Sequence, residues 1–116
     1  MKSYKHGDIV MINLGSAEES ERSQPRYAVV ISADVINEHL QTVIVCPLIE
    51  SKQVSKSRIG ATLIPKEAIG MEANCLVFSL QIKTIAKERI LRKVSSLPTD
   101  YLLQIKESVQ AVLNFD

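Results

Sequence analysis

This sequence predicts a mainly β chain with a C-terminal helix, folded as a small, strongly bent antiparallel barrel. Three observations lead there. Short apolar segments rich in β-branched residues recur between polar loops, and no βαβ alternation separates them. Helical spacing of apolar residues dominates only at the C-terminal end.

Gly7 to Leu14 (GDIVMINL) carries apolar residues on both alternating faces, which suits a strand buried on both sides. Residues Gly15 to Pro25 (GSAEESERSQP) are polar and end in proline, so they read as an exposed loop, long enough to suggest a purpose. A second strand runs from Arg26 to Ser32. Ala33 to Leu40 reads as a short helical connection with Asp34 as its cap. Thr42 to Ile49 (TVIVCPLI) is another apolar strand, with Pro47 limiting ladder pairing near its end.

Glu50 to Ser57 forms a second polar loop, Arg58 to Ile64 a shorter strand, and Pro65 to Met71 a one-turn connection. Asn74 to Ile82 (NCLVFSLQI) reads as one long strand. A turn or helical piece at Ala86 to Arg89 and a brief strand at Leu91 to Val94 follow. Then the period changes. Leu102, Ile105, Val109 and Val112 recur at helical spacing, Leu103, Leu113 and Phe115 widen the stripe, and Pro98 and Thr99 mark the start. The total is five or six strands and one terminal helix.

The 116 residues read as one domain, 1–116, and 46% hydrophobic residues are enough for a core without disulfides. Cys46 and Cys75 stand singly in apolar runs, with no CxxC and no histidine at ligand spacing, so they read as buried free thiols and no metal site is expected. No stretch resembles a signal peptide and no apolar run approaches membrane-spanning length. A soluble cytoplasmic protein with no membrane association is therefore expected. A net charge of +1 argues against coating nucleic acid by bulk charge. The distribution is uneven, however. Glu18, Glu19 and Glu21 cluster early, Lys52, Lys56 and Arg58 cluster mid-chain, and Lys83, Lys87, Arg89, Arg92 and Lys93 cluster later. The two basic groups either track a phosphate backbone or serve as solvated loops.

Walker, GxGxxG, HExxH and nucleophile-elbow motifs are all absent, which removes nucleotide, zinc-protease and hydrolase readings. His6 and His39 have no flanking acid at a telling distance and read as surface or loop residues. Arg26 is the exception: a guanidinium at the first position of an apolar strand, beside a long loop. It can bury its stem while its fork faces a groove and matches a phosphate, or it can pair with the glutamates of the loop.

The order of features, GDIV, a loop containing Ser20-Glu21, RYAVVISAD, TVIVCPL, and QIKTIAKERI before an amphipathic terminal helix, resembles the MazF/PemK family of toxins over nearly the whole chain. The resemblance is most specific at Gln81 to Ile90, similar to the family's QIRT segment. It implies a compact SH3-like barrel of the CcdB/MazF/PemK type that forms homodimers and needs no cofactor. It also implies metal-independent, sequence-dependent cleavage of single-stranded RNA by attack of the ribose 2′-hydroxyl. A small antitoxin protein is the implied partner, with DNA contacted only through the antitoxin complex. Such cleavage needs a base, a cation for the charged phosphorane and an acid for the leaving oxygen. Arg26 aligns with the family's catalytic arginine.

This chain departs from the family's pattern at several positions. Where one branch carries a catalytic threonine, this chain has Ile49, which can neither donate nor accept a proton. Where another branch has an acid and an arginine ahead of the QIRT segment, it has Leu80 and Phe78. Tyr27 replaces a common proline, and Ser23 and Gln24 replace loop glycines. Substitute catalytic groups are Ser51, two positions past Ile49 on the same strand face, and Glu21, in the loop ahead of Arg26. Tyr27 alternates to the face opposite Arg26, where it serves the core or stacks a base. Lys52, Lys56, Arg58 and Lys83 are the candidates for RNA-backbone contacts, with simple solubility as the alternative. Gln81 and Thr84 are expected in a dimer-proximal framework. Two other readings accompany the nuclease: a non-cleaving nucleic-acid or protein binder, CcdB-like with a functional tail at Leu113 to Asp116, and a degenerate toxin that keeps only its dimer and antitoxin surfaces.

Overall fold

A computed structural model describes residues 3–13, 26–50 and 56–115. Strands β1 (Asp8–Ile12), β2 (Arg26–Val30), β3 (Thr42–Glu50), β4 (Ala61–Ile64), β5 (Cys75–Phe78), β6 (Lys83–Ala86) and β7 (Ile90–Ser96) build one antiparallel sheet. Its order is β4-β5-β3-β2-β1-β7, with β6 also on β3. Helix α1 (Asp34–His39) joins β2 to β3, α2 (Lys66–Ile69) joins β4 to β5, and α3 (Thr99–Leu113) closes the chain. Mainly β architecture with a C-terminal helix is therefore the observed class, with seven strands among the described residues where five or six were expected.

Strand β3 is the axis of the sheet. One edge pairs with β2 from Val45 to Leu48, while the other pairs first with β6, Thr42 to Val45, and then with β5, Leu48 to Glu50. Pro47, with no N–H to donate, stands between the β6 and β5 ladders. That shift of partners explains why Asn74 to Ile82 is not one strand. Strand β5 ends at Phe78, a 3₁₀ turn spans Ser79–Gln81, and β6 begins at Lys83 to take up the other half of β3.

Period-two alternation puts apolar side chains on both faces of the bent sheet. Val10, Ile12, Ala28, Val30, Val43, Val45, Ile85 and Ile90 pack together with Tyr4 on one face. Ile9, Val29, Cys46, Leu48, Ile64, Cys75 and Val77 pack on the other, and there α3 supplies Ile105, with Leu102 and Val109 beside it. Ser79 and Ser108 share a hydroxyl hydrogen bond of 2.5 Å that ties α3 to the 3₁₀ turn.

Three local expectations are corrected. Asp34 does not cap α1: Ala33 occupies that position, and the Asp34 carboxylate accepts from the His6 amide at 2.7 Å. Arg58 to Ile64 is not all strand, because Arg58 and Ala61 exchange amide hydrogen bonds at 2.9 Å around a tight turn. Gly60 in that turn has φ +77°, and a Cβ there would meet Leu80 side-chain carbons at 2.6 Å, so both conformation and space demand glycine. Strand β7 runs seven residues, longer than Leu91 to Val94, because it pairs along β1 through two register shifts. The buried Asn37 ties α1 down. It accepts from the Ser32 hydroxyl and donates to the Ser32 carbonyl at 3.0 Å, and the Ile44 amide donates to the Ser32 hydroxyl at 3.0 Å.

Ile105 is 1% exposed whereas its neighbour Leu103 is 51% exposed. Truncating Ile105 to alanine is expected to cost ~3 kcal/mol of unfolding free energy, and Leu103→Ala less than ~1 kcal/mol. Urea denaturation followed by circular dichroism measures both; equal losses would contradict the packing of α3 described above.

Candidate nucleic-acid interface

Arg26 is the first residue of β2 and is exposed. Its backbone pairs with Ile12 of β1, so the strand beneath it is anchored by a buried isoleucine. On the other side, Tyr27 pairs with Leu48 and Ala28 with Pro47, and one more step along that register sets Arg26 against Ile49. Side chains of directly opposed residues share a face. Arg26, Ile49 and Lys83 (whose backbone partner is Val45) therefore project to the same side of the sheet. There they line a groove of ≈ 450 Å³ with Ile12, Tyr27, Pro47, Leu48, Glu50 and Gln81.

The groove has two cations, Arg26 and Lys83, and one carboxylate, Glu50. None of these three forms an ion pair with another described residue; the ion pair found among the described residues joins Lys93 to Asp8 at 3.3 Å. Two cations converging on an open cleft produce a field that attracts an anion. A guanidinium offers the fork that fits two phosphate oxygens, and an ammonium adds a point charge. Ile49, 50% exposed, presents only a hydrocarbon surface to the same space.

Not every expected site residue meets here. Arg26, Lys83 and Gln81 do. Arg58 lies instead on a separate cleft with Ile59, Gly60 and the α3 residues Gln104, Glu107 and Ser108. Lys56 is exposed and does not line the Arg26 groove. Thr84 is exposed on β6, opposite Ile44, on the face away from Lys83. Glu21, Ser51 and Lys52 lie outside the described residues, as do Glu18, Glu19, Ser23 and Gln24. The later basic group is also dispersed. Lys87 lines a cleft with His39 and Glu88, and Lys93 is committed to the buried Asp8, which also accepts from the Lys5 amide at 2.9 Å. His6 and His39 sit at the surface, each with Nδ1 against a backbone carbonyl, Ile31 at 3.1 Å and Val35 at 2.8 Å.

The sequence reading missed Glu50, assigning it to the start of a polar loop. It is the last residue of β3 and pairs with Cys75. The signal was available in the strand alternation that pointed past Ile49 to Ser51. Tyr27 is half-buried against the α3-side core, as its alternation from Arg26 predicts, and it also lines the groove.

The two thiols flank this region from the core side. Burial pushes Cys46 up to about 11, and burial together with the negative charge of Glu50 pushes Cys75 up to about 12. Both are free and buried.

The family described as the PemK-like, MazF-like toxin of type II toxin-antitoxin systems matches residues 5–113. The chain belongs to this family. Among its relatives, the endoribonuclease EndoA of Bacillus subtilis (strain 168) is 27% identical over 110 residues, covering 94% of this chain and 93% of the relative. Endoribonuclease MazF of Staphylococcus epidermidis is 25% identical over 116 residues, covering 97% and 95%. A MazE-MazF structure from Deinococcus radiodurans superposes over 100% of both chains with a TM-score of 0.81 at 17% identity. A mycobacterial endoribonuclease in complex with its cognate antitoxin covers 100% of this chain and 98% of its own, with a TM-score of 0.77 at 13% identity. The PemK/MazF-like fold is thus shared across the whole length. Among the described residues no helix is long and apolar enough to cross a membrane.

The thiols give a test of this core. Unfolded cysteines ionise near 9, whereas the native ones resist until about 11 and about 12. The unfolded state therefore binds fewer protons in that window, and stability is expected to be full below about pH 9 and to fall as pH rises toward 12. Native protein at pH 8 should resist iodoacetamide while urea-unfolded protein is alkylated at both positions, as read by mass spectrometry. Fast labelling of the native chain would show that the thiols are accessible.

Proposed function

We propose that this chain is the toxin of a toxin-antitoxin pair and cleaves single-stranded RNA without a metal. The observation that carries this reading is the convergence of Arg26 and Lys83 on one open groove of a PemK/MazF-like fold. The names of the relatives support the reaction type, and the antitoxin complexes among the structural neighbours support a small antitoxin protein as partner. A homodimer is part of the same proposal.

The chemistry requires the 2′-hydroxyl to attack the adjacent phosphate. A bond forms from O2′ to phosphorus, the bond to the 5′-oxygen of the next nucleotide breaks, and a 2′,3′-cyclic phosphate and a 5′-hydroxyl remain. Arg26 is assigned to the phosphate, where its fork offsets charge that grows on the non-bridging oxygens in the transition state. Lys83 is assigned to the backbone of a neighbouring nucleotide. Proton transfer is left to Glu21 and Ser51, since Ile49 has no group for it. Lys52, Lys56 and Arg58 are proposed as outer backbone contacts, and Gln81 and Thr84 as framework.

Ile49 also favours a second reading, an RNA binder that does not cleave, because it removes a hydroxyl from the position facing Arg26. Incubating a long single-stranded RNA with the protein in EDTA separates the two readings. Fragments with cyclic-phosphate ends are expected, with the rate reduced about 10²- to 10³-fold in Arg26→Ala. Intact RNA bound in an Arg26-dependent manner selects the non-cleaving reading; absence of both binding and cleavage overturns the RNA assignment. For Lys83→Ala, binding is expected to weaken without regard to RNA sequence. The slope of log affinity against log salt should become shallower by about 0.7, the value for one single-strand phosphate contact. An unchanged slope would remove Lys83 from the backbone path.

A further inference from the structure

The groove is divided by the alternation of its own strands. Arg26, Ile49 and Lys83 share one face of the sheet. Tyr27 and Glu50 belong to the other: Tyr27 pairs with Leu48, and Glu50 is two residues beyond Leu48 on the same strand face, a diagonal neighbour of Tyr27. Cys75, the cross-strand partner of Glu50, belongs to the core beneath α3, so the register puts Glu50 on this face as well. Arg26 and Ile49 from one face and Tyr27 and Glu50 from the other all line the groove, so it takes in residues of both faces.

We propose that Tyr27 and Glu50 form a nucleobase pocket that selects guanine at the nucleotide whose phosphate lies on Arg26. This inference rests on the RNA reading above. A phosphate is repelled by Glu50, so the backbone is confined to the Arg26 and Lys83 side and the base is directed to the other. The Tyr27 ring supplies a stacking surface, which any base can use.

The carboxylate supplies the choice. Ionised, it only accepts, through two parallel oxygens. Guanine offers two parallel donors on its Watson–Crick edge, N1–H and N2–H. Adenine and cytosine set a ring lone pair beside their exocyclic amine, and uracil flanks its single N–H with two carbonyls, so each opposes one carboxylate oxygen with another acceptor. Neither residue is assigned to the cleavage chemistry: Tyr27 stands where the resembled family commonly has proline, and Glu50 adjoins Ile49.

The test uses short oligouridines with a 2′-fluoro backbone, which 2′-hydroxyl attack cannot cleave, carrying one central guanine, inosine, adenine, cytosine or uracil. Fluorescence anisotropy with the full chain is expected to show guanine bound about 10-fold more tightly than adenine, cytosine or uracil. Inosine, which lacks the N2 amine, should fall between them. In Glu50→Gln the preference should collapse to near parity, and in Tyr27→Leu all oligonucleotides should weaken together, with circular dichroism verifying the fold. Equal binding of all bases by the wild type, preference for another base, or a guanine preference that survives Glu50→Gln would overturn the pocket and leave the nuclease assignment standing. Failure to bind any oligonucleotide, together with failure to cleave RNA, would overturn both.

Discussion

Burial of β3 on both faces is the constraint on which the remaining structure depends. Val43 and Val45 fill one core layer and Cys46 and Leu48 the other, so neither side of this strand faces water along its middle. A strand buried in this way must have every available backbone group paired, since an unpaired amide away from water costs ~1–3 kcal/mol. Strand β2 satisfies one edge, and the other edge needs two partners, β6 and β5, because the strand is longer than either. The 3₁₀ turn at Ser79–Gln81 lets one segment of chain serve both halves.

The groove follows from that arrangement. At the Arg26 end of β2 and the Glu50 end of β3 the side chains are Arg26, Ile49 and Glu50. The lip of the 3₁₀ turn brings Gln81 to the same cleft, and the first residue of β6 brings Lys83. A charge at the doorstep of a buried strand is thus held by the pairing of Tyr27, Ala28 and Val29 behind it, while its guanidinium remains in solvent. On the proposed reading this is preorganisation: a rigid ladder carries the cation, so little reorganisation is needed when a phosphate arrives.

On the proposed reading the chemistry of this chain is set by the residues around Arg26. Ile49 offers no proton-transfer group at the position facing Arg26, and Tyr27 and Glu50 bring an aromatic ring and an acceptor to the same cleft. Positive charge elsewhere is not all available for a ligand. Lys93 is bound to the buried Asp8, and the exposed Arg58 lines a separate cleft, so the basic stretches that look continuous in sequence are distributed over different surfaces.

Much of this was legible from the chain itself. Near-continuous apolar runs rich in β-branched residues marked β1, β2 and β3, and the change to helical spacing marked α3. The lone charge at the head of RYAVV marked Arg26, because burial pattern and local period depend on neighbouring residues. What required tertiary structure was whatever depends on partners distant in sequence. The division of NCLVFSLQI into β5 and a 3₁₀ turn came from the two ladders on β3, and the length of β7 came from β1. Glu50 became a groove residue because pairing with Cys75 carried β3 one residue further. Local sequence determined which segments are strands and which residue carries the exposed charge. Only the folded sheet decided which side chains share a face with it, because cross-strand register is a relation between segments that no single stretch contains.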